Sequence, residues 1–248
     1  MLVMSSSLKN ECEIIVFGGT GSIGSAITQA LYRHGHNVCV VSRHQRVRLL
    51  ENIKSSGQPF GQTIRYKCAD VLLSDDLEKL SIQKTPPADI IGAVYAVGHC
   101  PPAGFEQEIS RPISEVGESI ADEFNRHVLG LHNVAAWCLQ HLRPGGFICV
   151  IGSAITRLTD VQCPAWLHAG HYAVAKAAQH EYVRWLRRDP HIREKKILVH
   201  CLAPRAVDTP FHHGSLPEHQ PPVKLPMSDV IDEVLTAIQS KFAVDKIL

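Results

Sequence analysis

The segment EIIVFGGTGSIGSAITQALYRHG (residues 13–35) runs from a short apolar stretch into a helical pattern through a turn in which Gly18, Gly21 and Gly24 recur every third residue. Glu13–Phe17 reads as a buried strand. Ile23, Ala26, Ile27, Ala30 and Leu31 recur at helical spacing, and Gly35 stands just past the end. A strand passing directly into a helix is the first half of a crossover unit, and the same alternation continues along the chain. NVCVVS ends at Ser42 and a helix follows to about Ser55. TIRYKC is a third strand, with a short helix from Ser74. DIIGAVYAV is a fourth, and a long helix covers roughly Ile113 to Leu142, stopped by RPGG, which turns the chain. FICVIGS is a fifth strand, HYAVAKAAQHEYVRWL a helix, and KILVHCL a sixth strand. SDVIDEVLTAIQ is a last helix capped by Ser228, and FAVDKIL a short seventh strand. Strands alternating with helices predict an α/β fold: a doubly wound parallel sheet of six or seven strands with helices on both faces. At 248 residues the chain fits one such domain, residues 1–248. Three loops exceed what connectivity needs: 98–112, 154–170 and 205–227. Each follows a strand, where open α/β sheets bind ligands.

Charge narrows the function classes. Lys and Arg number 25 against 24 for Asp and Glu, a balance that offers no electrostatic case for nucleic acid or a membrane surface. No apolar run approaches the roughly 18 residues that span a bilayer. The start, MLVMSSSLKNECEI, has no basic region followed by an apolar stretch, so no secretory signal is expected and a cytoplasmic location is. Eight cysteines are scattered without a Cys-x-x-Cys pair and read as small buried hydrophobes. The fifteen histidines, adjacent His212 and His213 among them, fall into no metal-ligand spacing, and no metal site is expected.

The glycine turn carries chemistry as well as geometry. Glycines allow a tight turn and let the backbone approach a pyrophosphate, while the following helix offers free N–H groups and the positive end of its dipole. The residues expected to meet a dinucleotide here are Gly18, Thr20, Gly21, Ser22, Ile23 and Gly24. At the end of strand two, a carboxylate would hold the ribose hydroxyls of NAD. The chain instead has Ser42 and Arg43, which suit the 2′-phosphate of NADP. NADP (NADPH) is therefore the expected cofactor and NAD the alternative. Arg46 and Arg48 either assist or belong to an ordinary surface helix.

Tyr172 and Lys176 stand four apart on the later helix and so share one face. An ammonium beside a phenol favours the phenolate, and a positioned Tyr can then give or take a proton. Glycine turn, Tyr172 and Lys176 lie in an order that resembles the short-chain dehydrogenase/reductase family, and the likeness covers nearly the whole chain. Other segments fit it. CADV resembles the segment in which Asp70 and Val71 flank the adenine. VIGSAI places Ser153 where the family has its active-site serine. LAPRAVDTP resembles the Pro-Gly…Thr segment, with Pro204, Val207 and Thr209 beside the nicotinamide. The resemblance implies a Rossmann-type fold and an oxidoreductase. Tyr172 would be the acid/base, Ser153 would steady the substrate oxygen, and Lys176 would hold the ribose and favour the phenolate.

The chain departs from the family pattern in identifiable places. Ser22 stands where a glycine is more usual, although Gly21 restores the other known spacing. YAVGH replaces the Asn-Ala-Gly segment, so Ala96 takes the place of a cofactor-contacting Asn, with Gly98 two residues on. In EFNRHVLG, His127 aligns with the Asn that orders a water toward the lysine, and Asn125 lies two residues early. His127 is either a proton relay or a packed histidine. Arg205 replaces the glycine after Pro204, and TDVQCPAWLH lengthens the gap between Ser153 and Tyr172.

The expected substrate is a small carbonyl or alcohol compound, hydrophobic or aromatic if Phe105, Trp166, Leu167 and Phe211 line its pocket. Cys100 and Cys163 sit on the same loops without an evident activating partner. Ala173 and Ala177 permit close helix approach, and the resemblance implies a homodimer or homotetramer. Two alternatives stand beside an NADP(H)-dependent carbonyl reductase or alcohol dehydrogenase. One is an epimerase, dehydratase or isomerase using bound dinucleotide on the same scaffold. The other is a non-catalytic NADP(H)-sensing protein.

Overall fold

A computed structural model describes residues 12–55, 61–82, 89–98, 120–157, 170–209 and 224–248. Its strands are β1 (Cys12–Phe17), β2 (Asn37–Ser42), β3 (Ile64–Cys68), β4 (Asp89–Tyr95), β5 (Leu142–Ile151), β6 (Leu198–Ala203) and β7 (Asp245–Ile247). They form one sheet in the order β3-β2-β1-β4-β5-β6-β7, and every pairing is parallel. The helices are α1 (Ser22–Arg33), α2 (Val47–Ser55), α3 (Ser74–Ile82), α4 (Gly130–His141), α5 (Gly170–Leu186), α6 (Pro190–Glu194) and α7 (Met227–Gln239). A π-helical turn, Asn125–Leu129, leads into α4. The doubly wound Rossmann-type sheet expected from the alternation is present.

Both faces are covered, which is why the central strands read as continuous apolar runs. Successive side chains alternate between faces. Ile15 and Phe17 of β1 join Tyr95, Leu131, Trp137 and Ile148 in one core. Ile14 and Val16 join Ile27, Leu31, Val94 and Val234 in the other. One charge sits among these apolar positions: Glu13 is 1% exposed. Its carboxylate accepts both Nη2 (2.6 Å to each oxygen) and Nε (2.9 Å) of Arg65 from β3.

Two local expectations need correction. Ser228 does not cap the last helix. Pro226 is the N-cap residue of α7 and makes no side-chain cap bond, while the Ser228 hydroxyl donates to Asp229 Oδ1 at 3.1 Å. Nor does RPGG stand outside the sheet as a turn. Leu142 is already extended after α4, and residues 143–146 belong to β5. The extra length is taken up by a register shift against β4 between Ile90 and Gly92, by a left-handed Gly145 at φ +76°, and by the bond from Gly145 N–H to Lys195 O at 2.8 Å. Glycine makes that conformation accessible at little cost.

The order β2-β1-β4 puts the topological switch between β1 and β4, and ligands of such sheets bind in that crevice, outside the carboxyl ends of the strands. Residues 99–112 of the first long loop, 158–169 of the second and 210–223 of the third lie outside the described residues, as does the expected helix start at Ile113. Phe105, Cys100, Cys163, Trp166, Leu167, Phe211, His212 and His213 therefore also lie outside them. No described helix is long and apolar enough to cross a membrane. Among the described residues no group of three or more His, Cys, Asp or Glu side chains converges as a metal site.

Candidate active site

The first turn is clamped between two neighbouring strands. Gly18 N–H donates to Val41 O of β2 (2.8 Å), and Ala96 N–H donates to Phe17 O of β1 (2.9 Å). Gly18 is left-handed at φ +77°, and a Cβ there would stand 2.7 Å from Ala96 O. A Cβ on Gly24 would stand 2.2 Å from Gly18 O, so glycine lets α1 start hard against the turn. The start of α1 has no side-chain cap and no acidic residue in its first turn. Uncapped N–H groups at the positive end of a helix dipole suit a phosphate. Thr20 is buried beside this start, Ile23 half-buried, and Gly21 and Ser22 exposed. A glycine cradle below uncapped donors fits the pyrophosphate of a dinucleotide.

At the β2 end, Ser42 Oγ donates to His44 O (2.9 Å), and Tyr66 OH donates to Ser42 O (2.8 Å). The guanidinium of Arg43 is 61% exposed and 4.0 Å from Asp70 Oδ2, at the edge of the same crevice. Asp70 also closes its own turn by accepting Leu72 N–H at 3.0 Å. Val71 O accepts Asn133 Nδ2 at 3.0 Å, which ties this segment to α4.

The π turn shapes the middle of the site. Its wider backbone spacing leaves carbonyls reachable from outside the helix. Arg126 O accepts the buried Tyr95 hydroxyl (2.5 Å), and His127 O accepts Gln179 Nε2 (3.1 Å). Gly130 is required just beyond, since a Cβ there would stand 2.6 Å from Tyr95 Oη. His127 itself is fully buried. Its Nε2 lies 3.0 Å from Oε2 of Glu123, one helical turn earlier and equally buried. Arg126 Nη1 reaches the other Glu123 oxygen at 3.3 Å. The ring of His127 meets that of Tyr172 edge-on, centroids 5.4 Å apart, and its Cε1 lies against the backbone of Gly98.

Lys176 completes this cluster. Its Nζ lies 5.7 Å from the Tyr172 ring centroid. It donates to Ile151 O (3.1 Å) and to Gln179 Oε1 (3.0 Å). Gln179 thus bridges the ammonium to the His127 carbonyl. Burial pulls the Lys176 ammonium down to about 8, while the Cys201 sulfur and the Glu123 carboxylate push the other way. Beyond β5, Ser153 Oγ accepts Ile155 N–H at 3.3 Å, which leaves its own proton for another acceptor. Ala154 N–H donates to Pro204 O (3.0 Å), joining the β5 and β6 ends. Val207 bridges Leu225, and buried Thr209 donates to Val207 O at 3.4 Å.

The fold therefore carries Gly18–Gly24, Ser42, Arg43, Asp70, Val71, Ala96, Gly98, Ser153, Tyr172, Lys176, Pro204, Val207 and Thr209 on segments at the carboxyl ends of β1 to β6 or on α5. Sequence reasoning missed Glu123, Gln179, Thr156 and His180. The available signal was spacing: Glu123 is four residues before His127, and Gln179 and His180 are three and four after Lys176, so each shares a helix face with a residue already singled out.

Comparison with known proteins identifies the family and the fold. The family model for short chain dehydrogenases matches residues 13–220. No curated protein matches. Among solved structures, a short-chain type dehydrogenase/reductase from Mycobacterium ulcerans superposes with a TM-score of 0.77 at 17% identity, covering 96% of this chain and 89% of the other. An alcohol dehydrogenase from the archaeon Thermococcus sibiricus, complexed with 5-hydroxy-NADP, gives 0.71 at 23% identity and covers 96% of each chain. A short-chain dehydrogenase from Sphingobium yanoikuyae in complex with NADPH gives 0.72 at 18% identity, covering 95% of this chain and 86% of the other.

Proposed function

Because this chain belongs to the short-chain dehydrogenase family, oxidoreductases that bind a nicotinamide dinucleotide, we propose that it is an NADP(H)-dependent enzyme interconverting a carbonyl and an alcohol on a small, hydrophobic or aromatic metabolite. The observation that carries this reading is the cluster of Tyr172, Lys176 and His127 at the mouth of the glycine turn's crevice. When bound, the dinucleotide supplies or takes the hydride. In the reducing direction Tyr172 gives its phenolic proton to the carbonyl oxygen, and the product is the alcohol. The Ser153 hydroxyl donates to that same oxygen, where negative charge builds, and stabilises it. The Lys176 ammonium beside the ring favours the phenolate that Tyr172 becomes. Gln179 and Ile151 O aim the ammonium. His127, oriented by Glu123, returns a proton to Tyr172. Gly18, Thr20, Gly21, Ser22, Ile23 and Gly24 hold the pyrophosphate, Asp70 and Val71 flank the adenine, and Ala96, Gly98, Pro204, Val207 and Thr209 line the nicotinamide end. The reading also includes a single domain over residues 1–248, a cytoplasmic location and a homodimer or homotetramer. For the last, the exposed Leu129, Val174 and Trp185 beside and on α5 offer an apolar seam.

The test is NADPH consumption against a panel of aldehydes and ketones, with alcohol formed in equal amount. NADPH that binds without being consumed across the panel would favour the sensing protein or the epimerase, dehydratase or isomerase class, and would overturn this assignment.

Cofactor choice has its own test. Arg43 is exposed where a 2′-phosphate would lie, and no acid precedes it on β2. Arg43→Ala is expected to cost NADPH about 1–3 kcal/mol of binding and NADH little, the scale of a charge-assisted pair. Titration calorimetry with both dinucleotides decides, and equal losses would remove Arg43 from the phosphate site.

The His127 relay predicts a graded series. His127→Asn retains most activity, because an amide can still order a water. His127→Leu slows turnover about tenfold or more and flattens one limb of the pH–rate profile. A folded, cofactor-binding Leu variant with unchanged rate and profile would reduce His127 to packing.

A further inference from the structure

His180 lies four residues beyond Lys176 and eight beyond Tyr172, on the same stripe of α5, and is buried. It faces the carboxyl end of β5. Gly152 admits it: a Cβ at that position would stand 2.2 Å from His180 Nε2 and 3.1 Å from Cδ2. Any side chain there would push the imidazole off the backbone. The ring instead reaches the next residue, and Ser153 N–H donates to His180 Nε2 at 3.2 Å. Nδ1 lies 3.3 Å from Thr156 Oγ1, and the Thr156 hydroxyl donates to Ser153 O at 3.1 Å.

These directions are mutually restrictive. A backbone N–H needs a lone pair, so Nε2 carries no proton. The imidazole is then neutral, with its proton on Nδ1. Thr156 Oγ1 has already committed its proton to Ser153 O, so it accepts from Nδ1–H. The loop closes in one sense: Ser153 N–H to Nε2, Nδ1–H to Thr156 Oγ1, and Thr156 O–H to Ser153 O. The other tautomer would set two N–H groups head to head.

We propose that His180 is a positioning residue for Ser153: as a neutral Nδ1–H imidazole, with Thr156, it grips both the N–H and the C=O of Ser153 and sets where the serine hydroxyl points. The proposal rests on the reading of Ser153 as the donor to the substrate oxygen. That hydroxyl accepts Ile155 N–H, so its single proton has a direction set by the backbone around it. Rotating the gripped residue would carry the donor away from the position where charge develops, and small misplacements of this kind are costly.

The decisive measurement needs no substrate. Long-range nitrogen–proton spectra of histidine-labelled full-length protein, assigned by difference with His180→Gln, report the tautomer at neutral pH. The expected result is Nδ1–H in the wild type, and in Thr156→Val the same tautomer with its Nδ1 and Hδ1 resonances shifted, because Ser153 N–H still holds Nε2 while Nδ1–H has lost its acceptor. An Nε2–H or cationic His180, or Nδ1 and Hδ1 resonances indifferent to Thr156→Val, would overturn the clamp. If His180→Gln fails to fold, through-bond assignment from the His180 backbone gives the same reading without any His180 variant. With the carbonyl compound that the panel yields, His180→Leu should lower kcat about tenfold or more with KM for NADPH unchanged. His180→Gln, whose Oε1 can accept Ser153 N–H, should recover most of it. A Leu variant with normal kcat, or a Gln variant no better than Leu, would also overturn it. Full turnover by Ser153→Ala would remove the serine's assigned role and leave the spectroscopic result standing, so the two failures are distinguishable.

Discussion

Tyr172→Phe is expected to lower turnover by about 10²–10⁴-fold, the range a positioned proton donor contributes, while leaving NADPH affinity close to that of the wild type. The reasoning is geometric. In the proposed reaction the phenol is the proton donor, and its ring packs edge-on against His127 with Lys176 Nζ 5.7 Å from its centroid. Phenylalanine keeps that ring contact, so the helix face and the cofactor crevice stay intact and only the proton is lost. Lys176→Ala differs. It removes the donor to Ile151 O and Gln179 Oε1 and should weaken both turnover and dinucleotide binding. Calorimetric titration of NADPH alongside steady-state rates separates the two patterns. Near wild-type turnover in the Phe variant would mean that another group carries the proton.

Arg65→Met is expected to destabilise the fold by about 3–5 kcal/mol, the cost of leaving a buried charge without its partner. Glu13 is 1% exposed and holds a two-pronged contact with Arg65 from β3, two strands away in the sheet. Without the guanidinium, the carboxylate is held in an apolar wall with its strongest counter-charge gone. The converse removal is milder, because Arg65 is partly exposed and can turn toward water. Glu13→Gln in the Arg65→Met background should therefore recover a substantial part of the loss. Urea unfolding of the two variants and the wild type measures both steps. A single variant within about 0.5 kcal/mol of the wild type, the range of ordinary surface substitutions, would show that Glu13 is satisfied without Arg65.

What the amino-acid sequence determined by itself was whatever depends on local period. Strand and helix repeat at 2.0 and 3.6 residues, so the alternation that makes a doubly wound sheet is visible in any short window, and so is the Tyr172–Lys176 face. The glycine turn is legible for the same reason. Gly24 is constrained by Gly18 and Gly19 of the turn itself, whereas the atoms that crowd Gly18 belong to Ala96 and Val97, just past β4. Ser228 misled because a good capping residue two positions after a proline cannot show which of them the helix starts from. RPGG misled because the register of β5 against β4, not the breakers themselves, decided where pairing began. Only the tertiary structure could pair Glu13 with Arg65 or set Gln179 between Lys176 and a carbonyl of the π turn. The same holds for His180 and the Ser153 backbone. Those partners lie tens of residues apart. Glu13 meets Arg65 because β3 lies two strands from β1 in the sheet, and the other meetings depend on how α5 packs across the ends of β5 and β6 and against the π turn; no local spacing encodes either.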